Sequence, residues 1–168
     1  MPIKVECAYD EMVDIEKLVP NPRNPNKHPD KQISLLSKII SAQGWRNPIV
    51  VSNRSGFIIK GHARLEAARK LECETAPVDY QDYENEAAEY ADMLADNRIA
   101  ELAEPDLPGL KDLLQELDTG DFDMDLTGFD TESLEGLMTG VVLDSNEPGQ
   151  ERDGEICKCP KCGFEFAP

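Results

Sequence analysis

Aromatic residues and histidines are scarce in this 168-residue chain, and long apolar runs are absent. Aromatic side chains make up 6% of the sequence, and there are only two histidines. No stretch approaches the roughly 20 apolar residues that span a bilayer, so we expect no transmembrane helix. The first residues contain acids and lack the apolar segment of a signal peptide, so we expect a cytoplasmic protein.

Positive charge is nearly missing from the second half of the chain. Residues 1–79 contain 12 Lys and Arg against 10 Asp and Glu, whereas residues 80–168 contain 5 against 24. Because affinity for nucleic acid depends on neutralising phosphates, we expect any polyanion site within 1–79. The acidic half has two interpretations: a solvated surface that keeps the protein soluble, or a surface that mimics or competes with nucleic acid.

Cysteine is too unevenly placed for a disulfide framework. Three of the five cysteines, Cys157, Cys159 and Cys162, lie in the last twelve residues. A Cys-x-x-Cys turn followed by Gly is typical of a zinc knuckle, and the tail supplies three of the four ligands of a closed site. Cys7, Cys73, a histidine or another chain would complete it. A zinc site, a metal-free half-ribbon and a redox pair are the alternatives.

The first 80 residues alternate short apolar runs with turn signals. Loose alternation predicts one or two strands before residue 20, with a turn near Asp10, and four prolines make 20–30 an extended loop. Asp30 is expected to cap the following helix, and Gly44 to end it. The remaining predicted elements are a helix at 31–43, a strand at 47–52, a turn at 53–56, a strand at 57–60, a helix at 61–72 and a strand at 75–79.

The second half is predicted to be helical up to a polar linker. Helical patterns run from about 85 to Ala103 and again from Pro105, followed by a loop and a short helix. We therefore predict an α+β protein with a small mixed sheet and helices, a helical extension and a short Cys-containing tail. The predicted units are 1–82, an acidic helical extension at 83–143, a linker at 144–155 and the tail at 156–168.

The strand-to-helix junction Gly61-His62-Ala63-Arg64 is the candidate anion site. Glycine lets the backbone approach a ligand closely, and the free N–H groups of a helix's first turn favour an anion. Arg64 could add donors to phosphate oxygens, and His62 could donate or act as an acid or base near neutral pH. A routine turn with an exposed arginine is the alternative. Further polar candidates lie in the proline loop, at Asn21, Arg23, Asn24 and His28.

The order of these motifs resembles the ParB/sulfiredoxin N-terminal domain family. The resemblance is carried by PNPRNP, a helix ending in Gly, PIVV, IIKGHARLEAARKL and APV. The later ADMLADNRIAELAEPD and DLTGFD resemble ParB-like modules associated with DNA methylases of phages and mobile elements. Covering roughly residues 10–135, the resemblance implies a module that binds CTP or ATP/ADP with Mg²⁺ and acts in DNA modification, processing or partition.

The resemblance also implies roles for individual positions. The GHAR run matches the family's phosphate motif, and Pro48 with Ile49 matches the stretch beside the nucleobase pocket. The run from Asp96 to Arg98 partly matches a second phosphate and metal motif, in which Asp96 could hold Mg²⁺. The implied nucleotide-contacting residues are Arg23, Pro48, Ile49, Gly61, His62, Ala63, Arg64, Asp96, Asn97 and Arg98.

Where this sequence differs from the family's motifs, some of the family's activities are not expected. His62 stands where sulfiredoxins carry their catalytic cysteine, so sulfinic-acid reduction is not expected. The part after residue 104 is short and acidic, so no helix-turn-helix domain of the partition-protein type is expected there. The basic half also lacks the dense carboxylate or histidine cluster that a two-metal nuclease would use.

Three hypotheses of different classes follow from the sequence. The first is a nucleotide-binding accessory module of a DNA-modification or phage DNA-processing system, with weak or partner-mediated DNA contact and a possible homodimer. The second is an enzyme of the same fold: a nucleotide triphosphatase, a phosphotransferase such as a serine kinase, or a nuclease. The third is an acidic interaction protein that docks a DNA methylase or terminase.

Overall fold

Five short strands form a mixed sheet at the centre of the protein. The computed structural model describes residues 3–129 and 131–139, together with the backbone of 157–158 and 165–166. The strands of the sheet are β1 (Glu11–Asp14), β2 (Val19–Pro20), β3 (Ile49–Ser52), β4 (Phe57–Lys60) and β5 (Thr75–Gln81). Their order is β1-β5-β3-β4-β2; the β1–β5 and β3–β4 pairs are antiparallel, and the β5–β3 and β4–β2 pairs are parallel.

Helices connect and follow these strands. The α-helices are α1 (Asp30–Gln43), α2 (His62–Lys70), α3 (Glu86–Glu101), α4 (Leu107–Leu117) and α5 (Thr131–Thr139). Two 3-10 turns lie at Ile15–Lys17 and Met124–Thr127, and β6 (Cys157–Lys158) pairs antiparallel with β7 (Glu165–Phe166). The predicted α+β class with a mixed sheet is confirmed. Among the described helices, none combines the length and apolar character needed to cross a membrane.

Apolar side chains of the sheet and of α1 and α2 form the core. Ile49 on β3 and Leu65 on α2 are fully buried there. Ala67 and Ala68 are also buried, and their small side chains let α2 lie close to α1. Only Gly61 separates the last residue of β4 from the first residue of α2. The packing of α2 therefore fixes the position of the β4–α2 junction.

The ends of α1 differ in how well the sequence predicted them. Gly44 ends the helix as expected: its φ is +78° and its N–H donates to Ile40 O. A Cβ at Gly44 would lie 2.6 Å from Lys4 O, so only glycine fits there. The prediction that Asp30 caps the helix is wrong, because Asp30 is its first residue and Pro29 holds the N-cap position without a side-chain hydrogen bond.

The proline loop begins one residue later than expected. Pro20 is the second residue of β2, which pairs with β4 along one side only and forms an edge of the sheet. Proline lacks a backbone N–H, and an edge position leaves that missing donor without consequence. The extended loop therefore starts at Asn21.

A buried carboxylate joins α3 to the turn between β3 and β4. Glu89 is fully buried; its Oε2 accepts hydrogen bonds from Ser52 Oγ and Arg54 Nε, and its Oε1 accepts one from Ser55 Oγ, each at 2.8 Å. Burial by itself would raise the pKa of Glu89, but the hydrogen bonds from these residues outweigh burial and hold the pKa below its usual value. The ionised carboxylate thus fixes the N-terminal half of α3 against the hairpin.

The substitution Glu89→Gln should lower the free energy of unfolding by about 3 kcal/mol, because it removes the charged acceptor of a buried ion pair. Urea denaturation followed by circular dichroism measures this loss. Glu86→Gln is the matched control, since Glu86 is exposed in the first turn of α3; it should cost less than about 1 kcal/mol. Equal losses in the two variants would show that Glu89 does not anchor α3.

Candidate functional site

The junction between β4 and α2 requires glycine. Gly61 is the N-cap residue of α2 and has φ +98°, in the left-handed region. A Cβ at this position would lie 2.9 Å from Arg64 Nη1 and 3.4 Å from Ile49 Cα. The positive φ strains any other residue here, and the close approach of Arg64 and Ile49 leaves little room for a side chain. The backbone N–H groups of the first turn of α2 follow directly after this glycine.

Arg64 folds back across this turn toward the sheet. Its Nη1 donates to Pro48 O at 2.5 Å, which ties the first turn of α2 to the residue before β3. Burial lowers the pKa of Arg64, and the nearby charge of Asp96 acts in the opposite direction. An arginine pKa starts so high that the guanidinium stays charged. The structure thus brings together Pro48, Ile49, Gly61 and Arg64, four of the positions that the sequence singled out.

His62 is held as a neutral acceptor. Its Nε2 accepts a hydrogen bond from the backbone N–H of Asn21 at 3.2 Å, so the neutral ring carries its proton on Nδ1. Burial, and then the charge of His28, lower the pKa of His62 to about 4. The ring is therefore uncharged at neutral pH, which does not fit the expectation of an acid or base titrating there. Ala63 packs against the core and offers the site only its backbone.

The proline loop contacts both α2 and α3. Asn21 is buried; its Oδ1 accepts from the N–H of Arg23 at 2.9 Å, and its backbone oxygen accepts from the N–H of Asn24. The guanidinium carbon of Arg23 lies 4.6 Å from the ring centroid of Tyr90 on α3, a cation–π contact. His28 lies further along the loop; its Nδ1 is 3.1 Å from Gln32 Oε1, and it acts on His62 only through its charge. Of the loop residues, Asn21 makes the direct contact with the candidate site.

Two carboxylates of α3 meet the end of β4. Lys60 Nζ lies 3.0 Å from Asp92 Oδ1 and 3.9 Å from Asp96 Oδ1. Tyr83 donates its hydroxyl to Asp92 Oδ2 at 2.7 Å, so both oxygens of Asp92 have partners. The sequence had singled out Asp96 but missed Lys60 and Asp92. Their signal is visible in retrospect: Asp92 and Asp96 are four residues apart on a helix, and Lys60 directly precedes the glycine.

The other two candidates on α3, Asn97 and Arg98, make their contacts within α3 and not with Lys60. Asn97 donates from Nδ2 to Met93 O at 3.1 Å, a bond within its own helix. Arg98 Nη1 lies 3.0 Å from Glu101 Oε2, and this pair is largely exposed. Within the described residues, the structure therefore joins Asp96 to the β4–α2 junction and leaves Arg98 paired on the helix surface.

The two described thiols, Cys7 and Cys73, lie in the folded body. Cys7 and Cys73 are free and half-buried, and burial raises the pKa of both. Within the described residues, no group of three or more His, Cys, Asp and Glu could hold a metal ion. Of the predicted zinc ligands, only the backbone of Cys157 is described, in β6; the other two cysteines and the predicted linker 144–155 lie outside the described residues. Zinc stays a prediction.

Comparison with known proteins identifies the family. A model of the ParB N-terminal domain matches residues 4–98, which is more than half of the chain. The chain belongs to the ParB N-terminal domain family. A relative is the ParB-like nuclease domain-containing protein YnaK of Escherichia coli K12, 34% identical over 64 residues that make up 38% of this chain and 72% of YnaK. The predicted ParB-like resemblance is confirmed.

A solved structure shows the same fold. It is the C-terminally truncated chromosome-partitioning protein ParB from Caulobacter crescentus, complexed with CTP-gamma-S. The TM-score is 0.57 at 18% identity, and the match covers 80% of this chain and 87% of that chain. At this identity the likeness is one of fold.

A second family match covers the acidic part of the chain that the sequence analysis left without a domain. The ParB-methyltransferase HTH domain matches residues 108–160. The expectation from the sequence excluded only a helix-turn-helix domain of the partition-protein type after residue 104, and it did not anticipate a match to this other type. The expectation gave too much weight to acidity, but net charge describes a surface and does not determine a fold. In the described part of this region, α4 and α5 contact each other, and Lys111 Nζ donates to Met138 O at 3.1 Å.

The pH dependence of stability should report on His62. Because its pKa falls from 6.5 to about 4 on folding, the unfolded chain binds more protons than the folded chain between these values. The free energy of unfolding should therefore decrease as the pH falls through this window, by roughly 1–2 kcal/mol after allowance for solvent screening. Urea titrations at several pH values measure it.

His62→Gln tests the assignment, because the glutamine amide oxygen can still accept from Asn21 but does not titrate. This variant should lose most of the decrease between pH 6.5 and 4. His28→Gln spares the Asn21 contact and removes only the smaller, electrostatic cause of the His62 shift, so it should retain most of the decrease. A pH profile unchanged by His62→Gln would contradict the neutral, buried ring.

Proposed function

We propose that this chain is a ParB-like module that binds a nucleoside triphosphate at the β4–α2 junction and acts in DNA modification, processing or partition. The observation that carries the proposal is the geometry of Gly61, whose left-handed conformation opens α2 directly beneath the guanidinium of Arg64. A helix N-terminus and an arginine converge on one place, and both favour an anion.

The phosphates are proposed to contact the first turn of α2. The N–H groups of the first helical residues have no partner within a helix, and they are donors for phosphate oxygens. Arg64 uses Nη1 for Pro48 O, and a guanidinium has five N–H donors in all. The bond to Pro48 therefore orients Arg64 in advance and leaves donors for the ligand, which reduces the entropy lost on binding.

The base is proposed to lie beside Pro48 and Ile49. A Cβ at Gly61 would lie 3.4 Å from Ile49 Cα, so a nucleotide with its phosphates on α2 would extend toward the backbone at this edge of β3. The Caulobacter crescentus ParB that shares the fold was solved with CTP-gamma-S, which supports CTP as the first nucleotide to test. ATP and ADP are the alternatives.

Charge favours a nucleotide that carries Mg²⁺. Lys60 and Arg64 are offset by Asp92 and Asp96, so the site has no excess of positive charge for a triphosphate. Asp96 fits a cation because it is half exposed and its contact to Lys60 is 3.9 Å, whereas Asp92 is engaged on both oxygens. Mg²⁺ typically binds through one or two carboxylates and the substrate phosphates, where it would neutralise phosphate charge.

Action on DNA is proposed from the C-terminal family match. Helix-turn-helix domains place a recognition helix in the major groove, and residues 108–160 match such a domain. Direct or partner-mediated DNA contact, a DNA methylase or terminase partner, a phage or mobile-element setting and a homodimer all belong to this proposal. So does zinc binding by the cysteine tail.

Hydrolysis of the bound nucleotide is the second candidate, because Asp96 lies beside the proposed phosphates. The name of YnaK, a ParB-like nuclease domain-containing protein, makes DNA cleavage a further enzyme hypothesis. Calorimetry with CTP, ATP and ADP, with and without Mg²⁺, tests binding. Nucleotide turnover and duplex cleavage, each measured with and without the other substrate, separate a binding module from an enzyme. A pure interaction protein would bind none of the nucleotides.

Arg64→Ala should weaken nucleotide binding by about 1.5–3 kcal/mol, the usual contribution of a hydrogen bond to a charged group. Arg64→Lys, which keeps the charge but not the fork of donors, should recover part of this loss. Arg69→Ala is the control, because Arg69 lies at the far end of α2 and pairs with Glu66. Isothermal calorimetry on variants with unchanged circular dichroism measures the affinities. Equal affinity in Arg64→Ala and the control would contradict the site.

A further inference from the structure

An acidic segment of the C-terminal half contacts α1. Lys38 Nζ lies 2.8 Å from Asp123 Oδ2 and 2.5 Å from Asp125 Oδ2. Gln43, one turn further along α1, donates from Nε2 to Leu126 O at 3.2 Å. These contacts hold the 3-10 turn Met124–Thr127 on the helix, and they cross more than 80 positions of sequence.

The helix surface that includes Lys38 carries two further lysines. Lys31, Ser34 and Lys38 occupy one stripe of α1 because they are three to four residues apart. Lys70 Nζ, at the end of α2, donates to Ser34 Oγ at 2.6 Å, so a lysine of the second helix joins the stripe. We call Lys31, Lys38 and Lys70 the Lys38 surface. All three are exposed, and they lie in the half of the chain that holds most of the basic residues.

The contact is of a kind that another polyanion can displace. Lys38, Asp123 and Asp125 are each between 41% and 48% exposed, and ion pairs so open to solvent are weak and screened by salt. The hydrogen bonds that Lys38 donates to Asp123 and Asp125 raise the pKa of Lys38, so the ammonium group is fully charged. The two carboxylates take up hydrogen-bond donors of Lys38 that any other anion would need.

We propose that the Lys38 surface binds the sugar–phosphate backbone of duplex DNA, and that the Asp123–Asp125 segment occupies this surface in the free protein. Docking of the segment and binding of DNA are then mutually exclusive. The inference rests on the proposed function in DNA processes, and it adds a second contact area, on the N-terminal domain, with an internal competitor. Because thermodynamic coupling is reciprocal, DNA that reaches the Lys38 surface releases the segment.

The double variant Asp123→Asn, Asp125→Asn tests the proposal in the full chain. Asparagine at 123 can still accept from the N–H of residue 125, as Asp123 does, so the 3-10 turn keeps its cap. The control is Asp118→Asn, Asp121→Asn, which removes the same charge from the neighbouring sequence, upstream of the residues that contact α1. Fluorescence anisotropy with a duplex of arbitrary sequence, at several salt concentrations, measures affinity.

The first variant should bind the duplex roughly fivefold or more tightly than the control at low salt, as expected for removal of a competitor. Adding Lys38→Gln to it should abolish the gain. Hydrogen exchange should show faster exchange at residues 124–127 of the wild-type chain when duplex is added. Equal affinities of the two double variants, no DNA binding by any variant, unchanged exchange, or a gain for anionic lipid vesicles but not for duplex would each overturn the proposal.

Calorimetry with CTP on the same variants keeps the two proposals separate. None of the substituted residues contacts the β4–α2 junction, so nucleotide affinity should be equal in all of them. A chain that binds no nucleotide would overturn the proposed function, while the anisotropy comparison would still decide whether the Lys38 surface binds DNA. A nucleotide-binding chain with equal anisotropy would overturn only the inference made here.

Discussion

The candidate site depends on the buried carboxylate of Glu89. An ionised group leaves water only when hydrogen bonds replace its hydration, and the turn between β3 and β4 supplies three of them. Only Glu89 and Met93 of α3 are buried, so apolar contact alone holds this helix weakly. With Glu89 fixed, the helical repeat places Asp92 and Asp96 on successive turns, where they meet Lys60. The hydrogen bonds of Glu89 therefore set the position of the two carboxylates on α3.

On the α2 side of the site, burial determines the charge and the hydrogen bonds of Arg64 and His62. Arg64 is held by a backbone oxygen rather than by a carboxylate, and burial lowers its pKa without discharging it. His62 is neutral and accepts a backbone hydrogen bond, so it adds no charge. The result is an arginine with a fixed orientation beside a helix N-terminus, faced by carboxylates of α3. Such a site suits an anion that brings its own cation better than a bare anion.

Local signals in the sequence were enough to predict the fold and one half of the site. Gly61 before a helix, the hairpin and the order of the motifs depend on residues close in sequence, and each was found in the expected place. The Lys60 contacts and the Arg23–Tyr90 contact join residues far apart in sequence, so a local pattern can point to the single residues but not to their meeting. The helix-turn-helix match was missed for a different reason, because composition was used as an argument about fold.

Pro20, at the boundary between β2 and the proline loop, affects whether strands of other chains can add to the sheet. An edge strand exposes unpaired backbone groups to which a foreign strand can add, and proline removes a donor from that edge. β2 is two residues long and ends in Pro20, while the opposite edge, β1, begins and ends with exposed acids, Glu11 and Asp14. Both borders of the sheet thus discourage strand addition and aggregation. We therefore expect specific partners to bind to the helices and loops.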